Sequence, residues 1–119
     1  MAYRSDIRFL VPMKDYAKLK GNCLSKYWED SYFNCLDKEE VRKCAEGKKF
    51  MYFGWNSIKW YTNMNDSDYQ ELDDIEDALM EFEQYQKVRI GESYDDIEEV
   101  WNLENTYVDY IGIIRKFDE

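Results

Sequence analysis

The sequence predicts an α+β fold, with a mainly antiparallel sheet that carries helices on one face. Three observations lead there. Lys49–Thr62 is rich in aromatics and alternates with period two, as paired strands do. Residues 15–30 and 67–83 instead repeat apolar side chains every three or four positions, the helical spacing. Short apolar runs at Asp6–Pro12, Val88–Gly91 and Tyr107–Phe117 add further strands. At 119 residues and 45% hydrophobic side chains, the chain has enough to bury one core, and a single proline leaves little room for linkers. A single domain over residues 1–119 follows.

Taken in order, Asp6–Pro12 reads as a strand with Ile7, Phe9 and Val11 on one face and Arg8 and Leu10 on the other; Pro12 ends it. From Asp15 the period lengthens, and Tyr16, Leu19, Cys23, Leu24, Tyr27 and Trp28 mark an amphipathic helix ending near Asp30, with Gly21 as a weak point. Lys14, Lys18, Lys20 and Lys26 decorate it, either as a solvated face or as a phosphate-binding patch. After the connector Ser31–Asn34, Asp37 and Glu40 form a capping box with Leu36 and Val41 as its staple, which predicts a short helix stopped at Gly47.

Lys49–Thr62 then reads as a hairpin turning at Asn56-Ser57. Met51, Phe53, Trp55, Ile58, Trp60 and Thr62 share its core side, and Phe50, Tyr52, Gly54, Lys59 and Tyr61 a half-exposed side. Ser67, with Gln70, caps the next helix, whose apolar face is Tyr69, Leu72, Ile75, Leu79 and Phe82; eight carboxylates, Glu71 among them, cover the rest. Val88–Gly91 is a strand, 92–99 an acidic turn or short helix, and Tyr107–Phe117 a last, central strand. The order is the βαββαβ pattern of a ferredoxin-like sandwich with an extra C-terminal strand.

Charge and composition narrow the function. The net charge is −10 with no histidine, which disfavours nucleic acid and anionic membranes as partners and excludes Ser-His and Cys-His catalysis. Residues 1–64 hold 12 Lys/Arg against 8 Asp/Glu, and residues 65–119 hold 4 against 18, so the acid is concentrated in the second half. No phosphate-cradling glycine loop and no EF-hand pattern is present. A Mg²⁺ or Ca²⁺ site among Glu92, Asp95, Asp96, Glu98 and Glu99 requires their oxygens to converge, and no cofactor is expected. Cys23, Cys35 and Cys44 are odd in number without a CxxC pair, and read as buried free thiols of a reducing cytosol. The polar start Met1–Asp6 reads as lacking a signal peptide, and no apolar run approaches the roughly 20 residues of a membrane span. The tryptophans Trp28, Trp55, Trp60 and Trp101 fit a core, or an aromatic anchor at an interface.

At Tyr52-Phe-Gly-Trp-Asn-Ser-Ile-Lys-Trp-Tyr61, Arg89-Ile-Gly-Glu-Ser-Tyr-Asp-Asp-Ile-Glu98 and Ile113-Ile-Arg-Lys-Phe117, with the strand at Ser5–Arg8, the chain resembles small acidic proteins encoded by bacteriophages and prophages. The resemblance spans most of the chain and offers no catalytic residue. It implies a non-enzymatic phage product in the bacterial cytoplasm, in a setting that includes anti-CRISPR proteins and other inhibitors of host defence. Carboxylates along the 67–83 helix and the 92–99 turn then read as a nucleic-acid-mimicking surface for the basic cleft of a nuclease or nucleic-acid-binding complex. The expected contacts are Asp73, Asp74, Asp77, Glu81, Asp95, Asp96, Glu98 and Glu99, with Tyr52, Lys59 and Tyr61 as a secondary aromatic interface. Three other readings stand beside this one: an acidic face that only solubilises, a protein that sequesters a nucleotide signal, and a homodimeric assembly module using the exposed side of the hairpin.

Overall fold

The structure, a computed structural model, describes residues 2–43, 47–102, 117 and 119. The elements follow the order β1 (Ser5–Pro12), α1 (Met13–Tyr27), β2 (Lys38–Lys43), β3 (Lys49–Ile58), α2 (Gln70–Glu81), β4 (Tyr85–Gly91) and β5 (Ile97–Asn102), with short 3-10 turns at Trp28–Asp30, Tyr32–Cys35 and Ser67–Tyr69. The five strands form one antiparallel sheet in the order β2-β3-β1-β4-β5. The α+β class holds. The strand expected from Tyr107, like Cys44 and Ala45, lies outside the described residues apart from Phe117.

Alternation assigns the two faces of the sheet. Ile7, Phe9 and Val11 of β1 and Met51, Phe53 and Trp55 of β3 point to the side where Tyr16, Leu19 and Cys23 of α1 and Leu72, Ile75 and Leu79 of α2 close over them. Aromatic rings dominate this core: Phe9 stacks on Phe53 at 5.3 Å, and Trp55 lies 5.6 Å from both Phe33 and Trp60. Both indole N–H groups are satisfied, Trp55 donating to the Tyr32 carbonyl and Trp60 to Glu76, each at 2.8 Å. The opposite face carries a smaller cluster of Leu10, Phe50, Tyr52, Val88 and Ile90, against which Phe117 packs.

Three local expectations are corrected. The hairpin at Asn56-Ser57 does not form; β3 runs straight through these residues. A two-residue turn of type I′ needs positive φ at both central positions, and only Ser57 has it, at 51°. The residue is absorbed instead as an irregularity in the β1–β3 register, pinned where its N–H donates to Asp6 (2.8 Å) and its carbonyl accepts from Arg4 (2.9 Å). The short helix after Asp37 is β2, an edge strand paired along its whole length with β3. Here the Asp37 side chain accepts from the Asn56 N–H instead of capping a helix. The ladder with β3 satisfies the inner edge of this strand along its full length, whereas a helix of two turns with a narrow apolar edge gains little from packing. The third correction is at the α2 entry: Ser67 does not cap it, Asp66 caps the 3-10 turn Ser67–Tyr69 by accepting from the Asp68 N–H at 2.9 Å, and α2 itself starts after Tyr69 with no side-chain cap.

α1 continues through Gly21 and stops at Tyr27. Trp28, expected on its apolar face, takes φ 44° and leaves its indole 71% exposed. Lys20 pairs with Glu39 and Lys26 with Asp74, while Lys14 and Lys18 are exposed, so the helix lysines do not gather into one patch.

Gly54 sits opposite Arg8 in the central pair of strands, and a Cβ there would lie 1.9 Å from the Ile7 carbonyl oxygen and 2.9 Å from Arg8 Cδ. Gly54→Ala is therefore expected to lower the stability by about 1–3 kcal/mol through overpacking, read as a reduced urea midpoint. An unchanged midpoint would mean that β1 and β3 separate at no cost.

Candidate functional site

The acidic helix and the acidic segment after β4 meet along one groove. α2 packs on the helix-side face of the sheet, where its Glu76 meets Lys87 of β4. The resulting cleft is open, about 600 Å³ in volume, with Asp73, Glu76, Asp77 and Met80 of α2 on one wall and Trp60–Met64 at its end. Lys87 and Arg89 of β4 and Glu98 of β5 are its other charged residues. The three share the helix-side face because Ile7 and Phe9 lie opposite Arg89 and Lys87, and Arg89 opposite Glu98.

The lining holds four carboxylates against two cations, a balance of −2. Lys87 is almost fully buried, and its ammonium binds Glu76 from above and Glu98 at 2.7 Å from the neighbouring strand. Arg89 forms a two-pronged pair with Asp96 (2.7 and 3.1 Å), and Tyr3 donates to the same carboxylate. The Asp96 carboxylate raises the Arg89 pKa against the opposing effect of burial. Met64 and Met80 stand exposed on the rim, Met80 at 79%. Both floor cations are therefore paired and fixed, and negative charge and soft apolar surface remain at the rim.

The eight carboxylates expected to act together are divided. Asp73, Asp77 and Glu98 line the groove, where Asp73 also accepts from the Asn63 N–H at 2.7 Å. Asp95 and Asp77 are exposed. Glu81 turns to a different cleft, beside Lys14 and Lys49. Glu99 lies opposite Val88, on the far face of the sheet from Glu98. Asp74 and Asp96 are committed to internal bonds: Asp74 accepts from Tyr27, Lys26 (3.0 Å) and Gln70 (3.2 Å), which fastens α2 to α1. Burial alone raises the Asp74 pKa, and these three donors outweigh it and hold it below the usual value.

The secondary aromatic interface is not assembled as expected. Tyr52 is fully buried beneath Arg42, which lies 3.8 Å from its ring centre, so it is no surface anchor. Tyr61 is half-buried against Tyr69 and donates to the Tyr3 carbonyl at 2.8 Å, while Lys59 is half-buried in a separate pocket with Arg4 and Asp37. Phe50 is also buried, so of the side expected to carry homodimerisation only Lys59 and Tyr61 are part-exposed.

Glu71, counted from the sequence among the surface acids, is buried. It accepts from Ser31 Oγ (2.7 Å) and the Tyr32 N–H (2.8 Å), anchoring the connector after α1. Burial raises its pKa against those bonds. Its position four residues before Ile75 and seven before Ala78 puts it on the apolar stripe, a signal present in the sequence. Cys23 is buried and its thiol is pushed up to about 12, chiefly by burial, whereas Cys35 is exposed, contrary to the expectation of buried thiols. Among the described residues no three ligands converge on a metal site.

Two outcomes test this electrostatic description. Lys87→Met should cost about 1–3 kcal/mol in chemical denaturation, since it leaves Glu76 and Glu98 facing one another without their shared cation. Asp74 and Glu39 have folded pKa values below their unfolded ones, so their contribution is complete above the unfolded value and is lost as pH falls through the folded value. Asp74→Asn should therefore flatten the acid limb of the stability profile below about pH 4, while Glu71, shifted the other way, contributes with opposite sign. A variant whose acid limb matches the parent's would remove Asp74 from this account. Comparison of the chain with protein-family models, with curated proteins and with solved structures finds no match, so the functional reading rests on the groove itself.

Proposed function

We propose that the protein is a non-enzymatic inhibitor of the phage anti-defence type, anti-CRISPR-like in action, and binds the basic cleft of a host nucleic-acid-processing protein in the bacterial cytoplasm through the α2–β5 groove. The observation that carries this reading is the convergence of Asp73 and Asp77 with Glu98 on one open surface with two exposed methionines. Residues four apart on a helix repeat at about 6 Å along its axis, which is a sparser ladder than the 3.4 Å per charge of one duplex strand. Asp73 and Asp77 alone do not reproduce a phosphate backbone; Glu98 and the exposed Asp95 add charge beside them. The methionine rim suits a protein surface that repacks around a partner.

We also read the fold as a ferredoxin-like variant, supported by the strand-helix-strand-strand-helix-strand succession over residues 5–91, with β5 as the added strand. The nucleotide-sequestering alternative is an outcome of the test; the clefts beside Phe50 and beside Trp55 each balance their basic residues with as many acidic ones.

Asp77→Lys and Asp95→Lys together change two exposed carboxylates with no ion pair among the described residues. Tagged parent and variant are compared as baits in bacterial lysate, with elution by salt steps. The parent is expected to retain a nucleic-acid-binding protein that moderate salt releases, as contacts screened within about 10 Å at 0.1 M require. The variant should retain none of it and melt as the parent does. Equal retention by both would end the mimicry reading, and retention of nothing but nucleotide would favour the alternative.

A further inference from the structure

Arg8 has no part in the groove, and its position is unusual. It lies in β1, the middle strand of the sheet, and faces the side opposite the helices, beside Leu10, Tyr52 and Val88. Its side chain is only 2% exposed. A guanidinium withdrawn from water this far is costly unless its donors are met, and the sheet meets three of them with fixed groups. One terminal nitrogen donates to the Ile7 carbonyl (2.9 Å) and the Trp55 carbonyl (3.1 Å), and the other to Asn56 Oδ1 (2.7 Å). Gly54, directly across the ladder, has no Cβ to obstruct the side chain.

These bonds fix the direction of the remaining fork. Nε and the second terminal nitrogen both point at one carboxylate, that of Glu119, at 3.0 and 2.8 Å. Phe117 lies with its ring 4.9 Å from the guanidinium carbon and packs on the apolar cluster of this face. The pair is asymmetric: the Glu119 side chain is 22% exposed, so the carboxylate sits at the rim of a site whose cation is buried.

We propose that Arg8 and the sheet face around it form a receptor for an acidic peptide segment with an aromatic residue two positions before a carboxylate. Phe117 and Glu119 occupy it in cis, and a segment of the same chemistry from another chain takes their place in trans. The fork selects a planar carboxylate by two parallel bonds, and Leu10, Phe50 and Val88 select the ring. A neutral or basic segment leaves a buried guanidinium unpaired and is rejected on that account. The site lies on the far side of the sheet from the acidic groove and does not depend on the function proposed for that groove.

The test uses the full chain carrying Glu119→Gln, which keeps the shape of the occupant and removes its charge. The probe is a fluorescein-labelled acetyl-Gly-Phe-Asp-Glu-amide, followed by anisotropy, with the Gly-Phe-Asp-Gln analogue as control. Binding to Glu119→Gln is expected to exceed binding to the parent by at least about tenfold, and the Gln analogue to lose a similar factor, as a charge-assisted two-pronged contact implies. In the ¹⁵N spectrum the Arg8 Nε–H resonance should move on Glu119→Gln and return when the acidic peptide is added. No binding by a cooperatively melting Glu119→Gln protein, or equal binding by the parent, overturns the proposal. So does loss of the fold in Glu119→Gln, because a pair that cannot be opened is a structural ion pair and not a receptor.

Discussion

The antiparallel pairing of β1 with β3 is the constraint on which the rest of the molecule depends. Both strands are interior to the sheet, so each must satisfy two ladders and bury two faces. The helix-side face is filled by rings from β1, β3 and the segments around them, and it leaves α1 and α2 one way to close, with Tyr16, Leu19, Leu72, Ile75 and Leu79 inward. Burial of this much aromatic surface is the dominant favourable term for a domain of this size. The tight register is possible because Gly54 concedes the space that a Cβ would take from the β1 backbone.

The pairing of β1 with β4 on its other edge dissolves the charge polarity of the chain. Composition divides it into a mildly basic first half and a strongly acidic second half, but β1 lies between β3 and β4 and brings the halves into contact. Lys26 meets Asp74, Arg8 meets Glu119, and Tyr3 meets Asp96. Acidic residues thus serve two different purposes. Some, such as Asp74, Glu71 and Asp96, fasten elements together. Others, such as Asp77 and Asp95, remain on the surface and define its potential. Long-range attraction comes from the second group, because a carboxylate paired at 3 Å presents little net field at a distance.

Strongly periodic elements were legible in the sequence: β1 with its two faces, the span of α1 nearly to its end, α2 and β4. The core side of Met51, Phe53, Trp55, Ile58 and Trp60 was legible too, although the geometry assigned to it was wrong. A two-residue turn and a one-residue strand irregularity both shift the side-chain parity by one, so alternation reports the same face for either. Only the backbone angles at Asn56 and Ser57 separate them. β2 was misread for another reason. Asp37-Lys-Glu-Glu satisfies a capping box locally, and the partner that overrides it, β3, is distant in sequence. The acidic site was legible as composition but not as geometry, since Asp74 and Glu71 owe their bonds to α1 and the connector after it.

The two faces of the sheet therefore present opposite chemistries under opposite dielectric conditions. On the helix side, exposed carboxylates at the rim of an open groove act through water, where screening shortens their reach to about 10 Å at moderate salt. On the other side the Arg8 guanidinium, enclosed by backbone carbonyls and apolar side chains, acts only at contact and at an effective dielectric well below that of water. Salt separates the two by rate as well as by affinity. Raising it slows encounter at the groove, where attraction precedes contact, and leaves the lifetime of a carboxylate on Arg8 nearly unchanged, because that lifetime is set by the desolvated pair. On the proposed reading, a partner held by the groove is salt-labile and a segment held by Arg8 is not.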